Sequence, residues 1–295
     1  MSLAQPPAQP PALADGLPGV SPGVYNASDF HAVAEIIYAE AGIVLAEGKA
    51  MLVYSRLAPL VRRANCGTFA NFIARVREND EDRARMVAAL TTNHTFFYRE
   101  AHHFEHFGQA VRPGLVGALA RGEAVRIWSA GCSSGEETWS LVMTLLGPER
   151  QAGLDLARRN VRVLASDIAD HALARAEAAT YPARDMAPVP EALRQAWTRP
   201  AGDNLALADE ARAIVRLRHL NLQGDWPMHG RFQVIFCRNV MIYFDNPTKE
   251  RLVERFAHAL APGGHLYIGH SERVTGPAAA LLPPVGPTIY RRNTA

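Results

Sequence analysis

The chain has 295 residues, 48% hydrophobic and 20% charged, which is enough apolar material for one large globular domain or two smaller ones. Its net charge of +2 is too small to indicate nucleic-acid binding. Three widely separated cysteines without C-x-x-C spacing (Cys66, Cys132 and Cys237) argue against a disulfide framework and favour a reducing compartment. Because no apolar run approaches a membrane span and the start lacks a secretory signal, we expect a cytoplasmic protein.

The first third of the chain is expected to be helical after a flexible tail. Residues 1–24 are dominated by proline, alanine and glycine, a composition that does not favour a packed core. A first helix is predicted with its N-cap at Ser28, and Gly67 is predicted to follow the end of the second. The first helix carries one apolar face, formed by Phe30, Val33, Ile36, Ile37 and Ala41. We therefore predict an all-helical N-terminal domain over residues 25–107.

From residue 108 to residue 295, short apolar runs alternate with helical segments. Strands are predicted at 124–130, 161–167 and 232–239, and helices at about 136–147, 168–179 and 247–260. This alternation is typical of an α/β fold with a parallel, Rossmann-like sheet. The segments "GHLYIGHSE" and "PTIYRRN" predict an antiparallel pair of strands at the C-terminal end. The proline-rich and charged stretch at about 181–220 is expected to form an inserted β subdomain.

The stretch "RIWSAGCSSGEETWS" raises two alternatives. Gly131 to Gly135 fits the G-x-S-x-G elbow of α/β-hydrolases, and Ser133, Asp167 and His270 follow in the required chain order. Such an elbow needs several strands before it, whereas the preceding region is helical. The other interpretation is a turn from the first strand into a helix that binds a cofactor.

The cofactor interpretation accounts for the neighbouring acidic residues. Asp167 ends the second predicted strand, where a carboxylate binds ribose hydroxyls. The incomplete G-x-G-x-x-G disfavours a pyrophosphate, and Glu136 and Glu137 would repel phosphates. These features favour S-adenosylmethionine, which carries an ammonium and a sulfonium. The two glutamates also fit ordinary complementation of the helix dipole, so alone they do not decide the question.

Several motifs in one order carry a specific resemblance. "LTTNHTFFYREAHHF", "IWSAGCSSGEETWS", "VLASDI", "LNL", "FCRNVMIYFD" and "GHSE", together with "YAEAGIVLAEGKAMLVYSRLAPLVRR", resemble the CheR family of chemotaxis-receptor glutamate O-methyltransferases over residues 28–293. The resemblance implies S-adenosylmethionine as methyl donor and receptor glutamates as acceptors, which become γ-methyl esters. The product would be S-adenosylhomocysteine.

The resemblance also assigns site residues. Arg99 and Tyr243 would line the methyl-transfer end of the pocket. The implied cofactor contacts are Asn93, Thr95, Arg99, Glu137, Asp167, Asn221, Leu222, Arg238 and Asn239.

A carboxylate acceptor needs no strong base, because its ordinary pKa of about 4.3 leaves it ionised at neutral pH. Proximity and electrostatics are therefore expected to provide most of the acceleration. Arg99 fits either the acceptor carboxylate or the cofactor carboxylate. The structural alternatives are an ion pair of Arg99 with Glu100 or Glu105, and a packing role for Tyr243.

Two further patterns have simpler interpretations. His102 and His106 have the i, i+4 spacing of a zinc pair, but no third ligand is evident and we expect no metal site. "GHSE" is expected to be a turn near the pocket, and Cys132 a small side chain.

Partner recognition is predicted from a basic stripe. Lys49, Arg56 and Arg63 are spaced by seven residues (56 − 49 and 63 − 56), and Arg62 lies beside them. The stripe fits the acidic helices of a chemotaxis receptor, although a solvated helix face is the alternative and Pro59 could interrupt the helix.

"TRPAGDNLALADE" lacks the glycine-rich turn with which some family members dock a receptor C-terminal pentapeptide, so we expect no such docking. We also expect a monomer and no membrane insertion. The competing function is a cofactor-binding regulatory module without methyl transfer.

Overall fold

The computed structural model of the chain describes residues 17–91 and 93–294, which belong to two compact units that divide between Thr92 and Asn93. From the sequence, this division was expected after residue 107. Residues 93–107 belong to the second unit because Phe97, Phe104 and Phe107 are buried in its core. Of the predicted flexible tail, residues 1–16 lie outside the described residues. Residues 17–24 form turns, and the carbonyl oxygen of Val24 accepts a hydrogen bond from Phe69 N.

The described part of the first unit is helical, as predicted. Its helices are α1 (Ala27–Ala41), α2 (Ala50–Arg63), α3 (Phe69–Glu78) and α4 (Asp80–Leu90). Apolar residues at i, i+4 spacing on α1 to α3 form its core. They include Val33, Ile37, Val53, Leu57, Phe72 and Val76.

The N-cap of α1 is Asn26 and not the predicted Ser28. The Asn26 side chain accepts hydrogen bonds from Ser28 N and Asp29 N, and the Asp29 carboxylate accepts one from Asn26 N. In this reciprocal capping box the backbone N–H groups of Asn26 and Asp29 both find side-chain acceptors. A cap at Ser28 would not form these two hydrogen bonds. Pro59 lies inside α2, which continues through it to Arg63.

The second unit begins with helices and then alternates strands with helices. The opening helices are α5 (Ala101–His106) and α6 (Arg112–Ala120), joined by a π-helical stretch at Phe107–Val111. The strands are β1 (Val125–Ala130), β2 (Val161–Asp167), β3 (Thr180–Pro182), β4 (Thr198–Ala201), β5 (Asn204–Leu207), β6 (Val215–His219), β7 (Phe232–Cys237), β8 (Leu260–Ile268), β9 (Pro284–Gly286) and β10 (Ile289–Arg291). The further helices are α7 (Glu136–Leu146), α8 (Arg150–Ala157), α9 (Asp170–Ala178), α10 (Glu191–Trp197), α11 (Asp209–Ala213) and α12 (Asn246–Ala259).

Seven of these strands form a mixed sheet in the order β6-β2-β1-β7-β8-β10-β9. The strands β6, β2, β1, β7 and β8 run parallel, and β10 is antiparallel to both β8 and β9. This arrangement confirms the predicted Rossmann-like sheet with an antiparallel C-terminal pair. In the described chain no helix is both long and apolar enough to cross a membrane.

The inserted region differs from its prediction in one strand. A small antiparallel sheet β3-β5-β4 forms within it. The segment at 215–219, which we assigned to the same subdomain, instead extends the main sheet as β6, parallel to β2. Val215 and Leu217 lie opposite Val163 and Ala165, so joining the main sheet places them against its apolar core.

The order of the strands fixes where a ligand site lies. The chain moves from β1 outward to β2 and β6 on one side, and then returns to β7 and β8 on the other side of β1. The order therefore reverses between β1 and β7. In open α/β sheets this reversal leaves a crevice at the carboxyl ends of the strands, where ligands bind.

Burial of His103 on α5 generates a prediction about acid stability. Its side chain is fully buried, with Nε2 at 2.9 Å from Thr288 Oγ1. Burial, with the nearby positive charges of Arg238 and His102, lowers the pKa of His103 to about 3. In the unfolded chain the ordinary value is 6.5, so the unfolded state takes up this proton first as the pH falls.

The free energy of unfolding should therefore decrease as the pH falls from 6.5 towards 3. His103 should account for about 1.4 kcal/mol per pH unit within that window. Urea unfolding followed by circular dichroism across the window should give a shallower pH dependence for His103→Gln than for the natural protein. His258→Gln, at an exposed position, is the control. Equal slopes for the natural protein and His103→Gln would contradict the prediction.

Candidate active site

The loop from β1 into α7 brings the backbone close to the crevice. Gly131 and Gly135 have φ of +76° and +97°, and Ser133 between them has φ of +51°. A Cβ atom at Gly131 would overlap the Val240 side chain after β7, and one at Gly135 would lie 2.8 Å from the Tyr181 hydroxyl. Glycine is therefore required at both positions to keep the loop packed between its neighbours.

Asp167, at the end of β2, holds this loop in place. Its Oδ2 accepts a hydrogen bond from Ser133 N at 2.8 Å, and its Oδ1 accepts one from Ala169 N at 2.9 Å. Burial raises the pKa of Asp167, and these backbone donors oppose the shift. Leu220 N donates to Asp167 O at 3.0 Å, and the predicted residues Asn221 and Leu222 follow Leu220 in the chain.

The segment that opens the second unit joins the same crevice. Ser133 Oγ donates to Asn93 O at 3.1 Å, and Asn93 Nδ2 lies 3.1 Å from His171 Nε2 on the first turn of α9. Thr95 is half-buried in this segment. The contacts therefore bring Asn93 together with Ser133 and, through it, with Asp167.

A buried guanidinium organises the other side of the crevice. Arg238 NH1 donates to Glu137 Oε2 at 3.2 Å, and Arg238 NH2 lies 3.4 Å from Glu100 Oε2. The same NH2 group donates to the carbonyl oxygen of Arg99. Glu137 Oε1 also accepts a hydrogen bond from Ser129 Oγ on β1 at 2.8 Å. Arg238 thus connects β7, α7 and the segment that carries Arg99.

Glu100 and Glu272 extend this cluster to the loop after β8. Glu100 Oε1 accepts hydrogen bonds from Asn239 Nδ2 at 3.4 Å and from His270 N at 3.3 Å. Glu272 Oε2 accepts from Asn239 N at 3.1 Å and from Gly269 N. Asn239 has φ of +59°, so these bonds stabilise a left-handed turn directly after β7.

Arg99 and Tyr243 are both half-buried near these elements. The Arg99 guanidinium donates to His94 O at 3.1 Å and lies 5.8 Å from the centre of the Phe96 ring. The structural alternative, an ion pair of Arg99 with Glu100 or Glu105, is not formed among the described residues. Glu100 pairs with Arg238 and His270 instead. Tyr243 ends a 3₁₀ turn at Met241–Tyr243, and its N donates to Val240 O at 3.4 Å.

The cluster carries a surplus of acidic groups. Glu100 and Glu137 pair with the guanidinium of Arg238, and Glu272 accepts a hydrogen bond from N of the next residue, Asn239. Burial raises the pKa of Glu137 and of Glu272, although Arg238 opposes the shift for Glu137. Burial also acts to raise the pKa of Glu100, but the Arg238 charge and the His270 hydrogen bonds outweigh it, so that pKa is lowered. A cofactor that carries an ammonium and a sulfonium fits this surplus, and the loop at Gly131 allows its approach.

The structure does not form the hydrolase triad. The Asp167 carboxylate accepts hydrogen bonds from backbone amides, and His270 Nδ1 lies 3.2 Å from Glu100 Oε1. His106 of the candidate zinc pair bonds to the Tyr267 hydroxyl through Nδ1 at 2.8 Å. Across residues 17–91 and 93–294, no group of three metal-binding side chains is present.

Three members of the site were not predicted from the sequence: Glu100, Glu272 and Ser129. Glu100 was considered as a partner of its neighbour Arg99, and the "GHSE" motif that contains Glu272 was interpreted as a turn. Both glutamates lie in segments that carry the family resemblance, and this was the available signal.

The sheet with its strand-order reversal, the glycine loop after β1 and the acidic residue that ends β2 define an S-adenosylmethionine-dependent methyltransferase fold. Two family models identify the family of methyltransferases. The all-alpha domain of CheR methyltransferases matches residues 28–91, and the SAM-binding domain of CheR methyltransferases matches residues 93–283. The chain belongs to the CheR methyltransferase family and uses S-adenosylmethionine as its cofactor.

Relatives agree with this assignment over most of the chain. A probable chemotaxis protein methyltransferase of Rhizobium etli is 41% identical over 265 residues, 88% of this chain and 97% of that protein. Chemotaxis protein methyltransferase 2 of Pseudomonas aeruginosa is 39% identical over 271 residues, 90% of this chain and 93% of that protein. The chemotaxis protein methyltransferase of Escherichia coli is 35% identical over 250 residues, 82% of this chain and 83% of that protein.

Asp167→Ala should weaken binding of S-adenosylhomocysteine by roughly 10- to 100-fold, the loss expected for hydrogen bonds to a charged group. The substitution removes the carboxylate that fixes Ser133 N and also the acceptor expected for the ribose. Isothermal titration calorimetry measures the effect. Asp170→Ala is the matched control, because Asp170 is an exposed carboxylate at the start of α9 that pairs with His219 on β6. Equal affinities for the two variants would show that Asp167 is not a cofactor residue.

Proposed function

We propose that this methyltransferase transfers a methyl group to the γ-carboxylate of glutamates on methyl-accepting chemotaxis receptors, and that it acts in the cytoplasm as a monomer. The observation that supports the proposal most directly is that the glutamates at the crevice are already engaged in hydrogen bonds or ion pairs. Glu100, Glu137 and Glu272 each accept hydrogen bonds or pair with Arg238, so they are engaged in holding the site. A reaction that needs no general base fits such a site.

A carboxylate acceptor meets this condition. It is ionised at neutral pH and provides its own nucleophilic oxygen. S-adenosylmethionine supplies a methyl group on a positively charged sulfur. The protein then has to orient the acceptor and exclude water from it.

Individual residues are proposed for these roles. Asp167, together with Asn221 and Leu222, would hold the adenosine part of the cofactor. Asn93, Thr95, Glu137, Arg238 and Asn239 would form the remainder of the cofactor pocket. Arg99 would orient a carboxylate, because its guanidinium is fixed by a single carbonyl contact to His94 and its backbone is fixed by Arg238. Tyr243 would donate a hydrogen bond at the methyl-transfer end.

Receptor recognition is proposed for the basic side of α2 together with its N-cap residue Lys49. Lys49, Arg62 and Arg63 are exposed and fit an acidic receptor helix. Arg56 differs from the other members of the predicted stripe, because its NH1 donates to Leu90 O at 2.8 Å and to Thr91 O at 3.0 Å. Arg56 therefore caps the end of α4, and its share in partner binding would be smaller.

Docking of a receptor C-terminal pentapeptide is not part of the proposal. In the small sheet, β4 ends at Ala201 and β5 begins at Asn204. The short turn between them, with Gly202 at φ of +62°, supports the sequence-based expectation of a member that does not use the peptide.

The test is transfer of a radiolabelled methyl group to a receptor cytoplasmic fragment, with the label released as methanol by base. The natural protein should form base-labile label, and Tyr243→Phe should lower turnover about tenfold or more while its S-adenosylhomocysteine affinity changes little. Tyr290→Phe, which removes a hydroxyl at β10, is the control.

Cofactor binding without transfer to any of the organism's receptors would instead favour the regulatory-module alternative. A Tyr243→Phe variant that loses affinity but keeps its turnover would remove Tyr243 from the methyl-transfer end.

A further inference from the structure

One face of the main sheet carries four arginines on three adjacent strands, and we name this set the arginine face: Arg126, Arg162, Arg216 and Arg218. Arg126 on β1 is the direct partner of Arg162 on β2. Arg216 and Arg218 on β6 are the partners of Leu164 and Ser166 on β2. Because side chains alternate along a strand and register partners share a face, all four arginines point to the same side.

The opposite side of these strands is the packed one. The alternate residues Val125, Val161, Val163 and Val215 belong to the core that the helices α7 to α11 cover. On the side of the arginine face, Phe256 of α12 and Trp226 pack against Trp128 on β1, with ring centres at 5.4 Å and 4.7 Å. These aromatic side chains therefore cover this side of the sheet at β1. Towards the sheet edge, Arg162, Arg216 and Arg218 are exposed.

The connections between strands explain the uncovered area. Helices lie in the crossovers from β1 to β2, from β2 to β6 and from β7 to β8. The crossover from β6 to β7, residues 220–231, consists of turns and irregular chain without a helix. A doubly wound sheet is normally covered by helices on both faces, so the arginine face occupies a position where a helix would otherwise lie.

The charges of the arginine face are not neutralised within the described part of the chain. Arg162, Arg216 and Arg218 donate to backbone carbonyl oxygens of Val161, Val215 and Leu217, respectively. Arg126 donates to the side chain and carbonyl oxygens of Asn160. For residues 17–91 and 93–294, no carboxylate lies within the 4.0 Å salt-bridge distance of any of the four.

Such an arrangement is unfavourable for the isolated sheet. Like charges directly opposite each other on neighbouring strands destabilise it, and Arg126 and Arg162 are in this position. Arginine stems also shield apolar surface such as Leu164 from water, but shielding does not require positive charges side by side. An acidic partner on this surface would remove the repulsion between the arginines.

We infer that the arginine face is a docking surface for an acidic helix of a protein partner, which would complete the missing helical layer. Arg216 and Arg218 are two residues apart on one strand, about 6.6 Å, which matches the rise of about 6 Å between glutamates at i and i+4 on a helix. Single-stranded nucleic acid is disfavoured, since it needs exposed aromatic rings and Trp128 is buried. The net charge of +2 likewise disfavours a polyanion-binding protein.

The test uses a labelled helical peptide with glutamates at successive i and i+4 positions, and a matched peptide with glutamines. The natural protein should bind the glutamate peptide in fluorescence anisotropy, more weakly as the salt concentration rises from about 50 to about 200 mM. Arg216→Glu/Arg218→Glu should weaken this binding at least roughly tenfold, and Arg216→Gln/Arg218→Gln to an intermediate degree. The control Arg77→Glu/Arg184→Glu changes the net charge equally at exposed positions elsewhere and should bind within about twofold of the natural protein.

Melting temperature and S-adenosylhomocysteine affinity should be retained in both charge-reversal proteins, which separates loss of docking from loss of fold. The glutamine variant keeps the inference testable if charge reversal prevents folding. Failure of the glutamate peptide to bind, or equal losses in the arginine-face and control variants, would overturn the inference. Preferential binding of a single-stranded RNA or of phosphatidylglycerol vesicles through Arg216 and Arg218 would also overturn it.

Discussion

The site depends on the buried guanidinium of Arg238. It pairs with Glu137 from α7 and Glu100 from the opening segment, and it donates to the backbone of Arg99. Removing one partner of a buried ion pair costs about 3–5 kcal/mol, because it leaves an uncompensated charge. Three elements that are distant in the chain therefore meet at one buried cluster of charges, and removal of any one of these charges would destabilise their arrangement.

This constraint explains how one site combines an acidic pocket with a fixed arginine. The crevice between β1 and β7 exists because the strand order reverses there. Asp167 fixes the loop on the β2 side, and Arg238 fixes the segment on the β7 side. A positively charged cofactor would complete the balance of charges, and Arg99 would remain available for a carboxylate. Methyl transfer to an ionised acceptor requires this positioning more than it requires proton transfer.

The sequence predicted the features that local patterns encode. Short segments rich in β-branched and other apolar residues between helical segments located β1, β2 and β7, since largely buried parallel strands have such a composition. The N-cap of α1 was misplaced because Asn26 and Ser28 are both good capping residues, and the choice depends on the reciprocal bond with Asp29.

Tertiary contacts account for the other differences. The segment "VRLRH" was assigned to the inserted subdomain because it lies at the end of the proline-rich and charged stretch. Its alternation is that of a half-exposed strand, and in the structure it pairs with β2 of the main sheet with one face uncovered. Glu100 was missed for a similar reason, because its partner Arg238 is far away in the chain and neighbouring Arg99 offered a local alternative.

The most direct test of the central claim is calorimetric titration of Arg238→Lys with S-adenosylhomocysteine. Lysine keeps the positive charge but lacks the planar fork that reaches two carboxylates and a carbonyl oxygen. If Arg238 organises the site, the affinity should fall at least roughly tenfold while the far-ultraviolet circular dichroism remains that of the folded protein. An affinity within about twofold of the natural protein would contradict the account, since a single charge would then suffice to hold the pocket.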